Sequence, residues 1–247
     1  MKPHASSIRR HATIAPSGRG IVLTVFDQAA RGGRSMFPSR VFEPDEVQRV
    51  LKTGHQSRKI GKTVVKGPRK GWPIFTLTLE ERAACPRSCG EWLSCYGNNM
   101  HAAERIVHGT ALELALEDEI GVLAQRHHAG FLVRLHVLGD FYSAGYVGFW
   151  RRMLAQHAAL HLFGFTAHAP ASDIGRELSL LAADFGWARA AIRFSGAPHG
   201  LRAARVLAAG EIDALAILCP AQTGATDCCA TCALCWQSER SIAFRAH

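Results

Sequence analysis

The sequence has no lysine after Lys70, no cysteine between Cys95 and Cys219, and no apolar run near the roughly 18 residues that span a membrane. The first twenty residues lack an apolar core. His4, Arg9, Arg10, His11 and Arg19 interrupt them, so they do not read as a secretory signal, and a cytoplasmic location is expected. A phosphate-binding loop is also missing. Gly61-Lys62-Thr63 has the right ending, but Gln56 stands where the first glycine belongs and no buried strand precedes it. No helix-turn-helix or RNA-recognition signature is visible.

What remains is ordinary globular composition. The 247 residues are 48% hydrophobic and 20% charged, enough for a sizeable core and too apolar for whole-chain disorder. The net charge of +9 is uneven. Residues 1–72 hold 15 Lys/Arg against 4 Asp/Glu, and residues 73–247 hold 14 against 16. This reads as a basic arm over 1–72, a near-neutral body over 73–218 and a cysteine-rich segment over 219–247. A basic arm suits DNA or RNA as a partner, with Arg58, Lys59, Lys62, Lys66, Arg69 and Lys70 as candidate phosphate contacts; a solvated basic surface is the plain alternative.

Within the arm, residues 21–26 read as a short apolar strand. Pro44-Asp45-Glu46 opens an expected helix that Gly54 closes. The body alternates. Strands are expected at 74–79, 131–138, 162–165, 191–194 and 214–218, and helices at 101–128 (split at Gly109), 144–157, 173–185 and 201–209. Strands alternating with helices imply an α/β fold with parallel βα units, here a partial barrel. Cys85, Asp140, Thr166, His168, Ser195 and Cys219 each follow a strand and would share its C-terminal rim, where such folds place their chemistry.

The eight cysteines fall in two groups. A disulfide framework belongs to small secreted chains, so metal ligation is the better reading. Cys85, Cys89 and Cys95 are spaced C-x3-C-x5-C, and three thiolates on one loop can hold three irons of a cubane and leave one open. Arg87 would favour the thiolates. Buried structural cysteines, or a zinc site completed by His101, are the alternatives. Cys219-Pro220 with Cys229, Cys232 and Cys235 has the arithmetic of a ferredoxin-type site, with Cys228 either a substitute for Cys229 or a bystander. Asp140 reads either as a rim group for an amine or hydroxyl or as a turn aspartate. His136 reads as a satisfied core histidine, and Tyr142, Tyr146 and Trp150 as packing residues.

Several of these motifs, in this order, resemble the phage "gene product 88" family: Cys85-Pro86, Cys89, Cys95-Tyr96, Arg134-Leu135-His136-Val137, Gly139-Asp140-Phe141, Tyr146, Trp150, Phe163, Thr166, Cys219-Pro220, Gln222-Thr223-Gly224 and the Cys229/Cys232/Cys235-Trp236 array. That resemblance spans about residues 74–236 and implies a fold and a metal site rather than a reaction. The arrangement also resembles radical S-adenosylmethionine enzymes, whose three-cysteine loop follows the first strand of a βα barrel and which often carry further clusters near the C-terminus. It implies a [4Fe–4S] cluster on Cys85, Cys89 and Cys95, an auxiliary cluster on the second array, and S-adenosylmethionine held near Gly139, Asp140, Thr166 and His168. The spacing departs from the usual C-x3-C-x2-C, and the aromatic residue, Tyr96, follows the third cysteine instead of preceding it. The expectation is therefore an iron–sulfur protein. The alternative is a zinc- or cluster-stabilised protein that binds nucleic acid without catalysis.

Overall fold

A computed structural model describes residues 20–195, 197 and 202–246. It has a two-stranded sheet and an eight-stranded sheet. The short pair is β1 (Val41–Phe42) with β4 (Arg105–Ile106). The large sheet contains β2 (Lys52–Thr53), β3 (Ile74–Thr76), β5 (Phe131–Leu135), β6 (Leu160–Thr166), β7 (Ala190–Ser195), β8 (Ala203–Leu207), β9 (Ile217–Leu218) and β10 (Ile242–Arg245). Its order is β2-β3-β5-β6-β7-β8-β10-β9, and every pairing except β2 with β3 is parallel. The expected parallel α/β sheet is thus present. No ladder joins its two edge strands among the described residues.

The strands β3, β5, β6 and β7 are neighbours in chain order, so right-handed crossovers put all the connecting helices on one face. These helices, after the short α1 (Gln28–Gly32), are α2 (Thr110–Arg126), α3 (Ala144–Gln156) and α4 (Asp173–Arg189). Leu116 and Ile120 of α2, Trp150 and Met153 of α3, and Leu178 and Leu181 of α4 pack on Phe131, Val133, Leu135 and Leu162 of the sheet. Ser143 and Ser172 cap α3 and α4 by accepting the Tyr146 and Gly175 amides. Strand alternation sends Ile74, Leu132, Phe163 and Ala191 to the opposite face, which among the described residues the long helices reach only through Trp187 of α4. Residues 60–72 and the short helices α6 (Cys229–Cys232) and α7 (Leu234–Gln237) cover it, through Ile60, Val64, Ala230, Ala233 and Trp236. The remaining helix, α5 (Pro220–Thr223), follows β9.

Several expectations change. The described part of the basic segment joins the packed body: Val50, Leu51, Ile60 and Val64 are buried and β2 pairs with β3. The helix expected at 44–54 is only a 3-10 turn, Pro44–Glu46, with reciprocal Glu43 and Glu46 caps. The Glu119 carboxylate then accepts the Val50 and Leu51 amides at 2.7 and 2.9 Å, which holds the chain out of a helix. The strand expected at 21–26 has no ladder; Leu23 donates to Leu93 O, and Asp27 closes a turn onto Thr24. Residues 101–108 are not helical, because Gly109 at φ 137° starts α2 and β4 lies before it. Residues 203–207 form β8, not a helix. Alanine-rich local propensity yields there to pairing with β7 and β10. The C-terminal segment supplies β10, which inserts between β8 and β9.

Candidate metal centres at the sheet rim

Beyond β3, Leu77 donates to Arg134 O and Leu79 to Leu138 O. The first cysteine loop and Gly139-Asp140 therefore leave the sheet side by side. A Cβ at Gly139 would lie 2.6 Å from Leu79 Cβ, so only glycine permits this approach, and its φ of +81° favours glycine as well. The loop itself is braced by buried polar contacts. Arg105 Nε donates to Glu81 Oε2 at 2.6 Å, and its other nitrogens donate to the Gly97, Met100 and Ala103 carbonyls. Ser35 Oγ donates to Glu81 Oε1. Arg82 donates to Trp92 O and to Asn98 Oδ1, and Asn98 in turn donates to Ile21 O and Leu93 O.

These braces bring Cys85, Cys89 and Cys95 together. Each thiol's pKa is raised, first by burial, and Cys95 reaches about 11. Asp140 adds to the effect at Cys85 and Cys89, Glu91 at Cys89, and Glu81 at Cys95. Arg82 acts in the opposite direction on Cys89 and Cys95, and its Nη1 is buried without a hydrogen-bond partner. Arg87, expected to play that part, instead donates to Ala30 O and Arg31 O and lies over the Trp92 ring.

Cys219, Cys229, Cys232 and Cys235 line one recess with Pro220 and Ile242. Cys219 arrives from β9, and the other three arrive on α6 and α7. Cys228 turns the other way. Its Sγ packs on Gly61, where a Cβ would meet it at 2.8 Å, and lies 3.5 Å from Thr231 Oγ1. Between the two cysteines that the sequence left undecided, Cys229 is therefore the one in the recess. Backbone bonds from Cys229 N to Lys59 O and from Val65 N to Ala230 O lay the basic segment along this array. Burial raises the Cys229 and Cys235 pKa values, Cys235 to about 11, while Lys59 and Arg134 oppose the rise at Cys229, and Arg193 and Arg134 at Cys235. Lys66 does the same at Cys232. Arg193 donates to the Arg240 and Ser238 carbonyls, and its Nε is buried without a partner.

Arg134 lies between the two cysteine groups. It is half-buried, its guanidinium sits 4.6 Å from the Phe165 ring centroid, and its titratable neighbours are Tyr96, Cys235, Cys229 and Asp140. Arg134 and Arg193 were not singled out as site residues from the sequence. The available signal was an arginine as the fourth residue of a strand that opens on three buried apolar residues, in both β5 and β7.

Gly139, Asp140, Thr166 and His168 do come together. Asp140 accepts the Phe141 amide at 2.7 Å and the Ala167 amide at 2.6 Å, and Thr166 also bonds its carboxyl. His168 Nε2 meets Phe141 O at 2.8 Å. Asp140 thus ties the end of β5 to the end of β6, and with three hydrogen bonds accepted its carboxylate keeps one further lone pair.

His136 is less satisfied than expected. Its Nε2 meets Tyr146 Oη at 3.2 Å, but Nδ1 has no partner. Burial, and then the Arg134 charge, lowers its pKa from 6.5 to about 3. The unfolded chain takes up this proton below about pH 6.5 and the folded chain does not until about pH 3, so acid favours unfolding across that window. The loss between pH 7 and pH 5 is about 2 kcal/mol. His136→Phe is expected to remove that share of the pH dependence in urea unfolding at the two pH values. An unchanged difference would contradict the assignment.

Of the six basic residues expected to contact phosphate, Arg69 is committed to Trp236 O and Ala188 O, and Lys59 and Lys66 stand beside the second array. Arg58, Lys62 and Lys70 are exposed. No two cysteines form a disulfide. No helix among the described residues is long and apolar enough to cross a membrane, and no three of their His, Cys, Asp or Glu side chains converge on a single metal-ion position. Comparison with protein-family models, with curated proteins and with solved structures returns no match.

Proposed function

We propose that the chain is an iron–sulfur protein with one cluster on Cys85, Cys89 and Cys95 and a second on Cys219, Cys229, Cys232 and Cys235. We further propose that its first site takes S-adenosylmethionine in the manner of radical S-adenosylmethionine enzymes. The observation that carries this reading is the recess that four thiols from two separate stretches surround, with a fifth, Cys228, turned away. A recess, rather than a point, suits a polynuclear core. Thiolates are the ligands such a core takes. Burying an anionic cluster is costly unless cations and N–H donors accompany it. Each site has an arginine with a buried nitrogen that makes no hydrogen bond, Arg82 at the first, where Glu81 lies 4.0 Å away, and Arg193 at the second.

Three thiolates leave one iron open and supply a coordination position with one-electron transfer, whereas four supply electron transfer alone. Cys85 lies beside Asp140, whose remaining lone pair would accept from an ammonium group at the rim. Thr166 and His168 fix Asp140 and Phe141 in place, so their role toward the ligand is positioning.

The test is anaerobic purification, a visible spectrum, and assay of iron, sulfide and zinc. A broad shoulder near ~400 nm and roughly eight irons per chain are expected for two four-iron clusters. S-adenosylmethionine is then expected to change the electron paramagnetic resonance signal of the first cluster only. Colourless protein with stoichiometric zinc, and failed reconstitution with iron and sulfide, would overturn the reading. It would leave a zinc-stabilised scaffold whose exposed Arg58, Lys62 and Lys70 could contact nucleic acid, with steep salt dependence.

A further inference from the structure

The two cysteine sites differ in the balance of the charges around them, with an excess of cations only at the second. At the first, a Cβ on Gly97 would lie 3.3 Å from Cys95 Sγ and 3.4 Å from the Glu81 carboxyl carbon, so that carboxylate stands next to the thiol. Asp140 and Glu91 are the other acidic neighbours. Arg82 and Arg105 both face Glu81, and Arg134 also faces Asp140, so charges at the first site are nearly balanced. At the second, Lys59 and Lys66 flank α6 through the backbone pairing of residues 59–65 with residues 229 and 230. Arg193 borders α7 through Ser238 O at 2.6 Å, and Arg134 approaches from β5. Glu239 is the acidic group facing Arg193.

Building on the iron–sulfur reading, we propose that Lys59, Lys66, Arg134 and Arg193 make the Cys219/Cys229/Cys232/Cys235 site the more easily reduced of the two. Asp140, Glu81 and Glu91 hold the Cys85/Cys89/Cys95 site at lower potential. Reduction adds one electron to a cluster, forms and breaks no bond, and makes the site one unit more negative. Nearby cations therefore favour the reduced form and nearby carboxylates oppose it; local charge is one of the protein's levers on cluster potential. The second site would thus fill first from an external one-electron donor and act as the chain's electron reservoir, with the first site charged only under stronger reduction.

The experiment is a dithionite titration of the anaerobic, cluster-loaded protein followed by electron paramagnetic resonance. Signals are assigned from Cys89→Ala, which retains the second site, and Cys232→Ala, which retains the first. The second-site signal is expected at the higher potential, by at least about tenfold in the reduction equilibrium, or ~59 mV for a one-electron couple. Arg134→Gln is expected to lower the second-site potential. Lys59→Gln with Lys66→Gln alters exposed side chains only, so the fold is retained, and should produce a smaller, salt-sensitive fall. Equal potentials, the reverse order, or no movement in any of these variants would overturn the proposal while leaving the iron–sulfur reading intact. Iron and sulfide at only one site would overturn it too. Absence of iron and sulfide at both sites would overturn the underlying reading as well.

Discussion

Cys229→Ala is expected to halve bound iron and sulfide, from roughly eight to roughly four irons per chain, while Cys228→Ala leaves both unchanged. The two residues are adjacent and of one type, so composition and local sequence are the same for both changes. What differs is direction. Cys229 faces the recess with Cys219, Cys232 and Cys235, and Cys228 faces Gly61. The residual cluster in Cys229→Ala should be the first one, and its response to S-adenosylmethionine should persist. Equal losses from both variants, or a loss from Cys228→Ala alone, would show that the ligand set has been misassigned. Thermal melts should accompany the metal assays, because α6 and α7 also cover the Leu132 and Phe163 face of the sheet. A variant that loses iron but melts like apo wild type has lost a ligand and not the fold.

Arg105→Met should lower the melting temperature by about 6–20 °C. The change leaves the Glu81 carboxylate buried without its guanidinium partner and removes the donor from three loop carbonyls. Breaking a buried pair from one side costs about 3–5 kcal/mol, and a chain of this size loses roughly 2–4 °C per kcal/mol. Both side chains are essentially fully buried, so solvent screening offers little relief. The damage should be local in its chemistry. Iron at the first site falls, because Gly97 and Met100 close the loop that carries Cys95, while the second site keeps its iron. Combining Arg105→Met with Glu81→Gln should restore part of the melting temperature by removing the stranded charge. A shift under ~2 °C from Arg105→Met, or no recovery in the double variant, would exclude the ion pair as the brace of this loop.

Much of the architecture was legible in the sequence. The stretches around Val133, Phe163 and Ile192 are apolar, short and separated by helical periodicity, and that pattern alone implies parallel βα units. Both cysteine groups were legible too, because thiol spacing is a local property. Several of the changed readings share one reason: competing partners came from far away. Glu119 captures the Val50 and Leu51 amides from a helix 69 and 68 positions on. Residues 203–207 become a strand because β7 and β10 offer ladders on both sides. Arg69 and Lys59 look like solvated cations in a basic run, yet one bonds carbonyls of Ala188 and Trp236 and the other lies over the Phe244 ring.

The sequence by itself determined the fold class, the rim on which polar residues gather, and the two sets of thiols. Each follows from short-range periodicity or from residue identity. Only the tertiary structure decided that Cys229 and not Cys228 enters the recess, that Arg82 and not Arg87 accompanies the first loop, and that Arg134 stands between the two sites. A side chain's direction and its neighbours depend on which strand lies beside which. That order is set by burying both faces of one sheet at once, a condition that no local stretch of the chain contains.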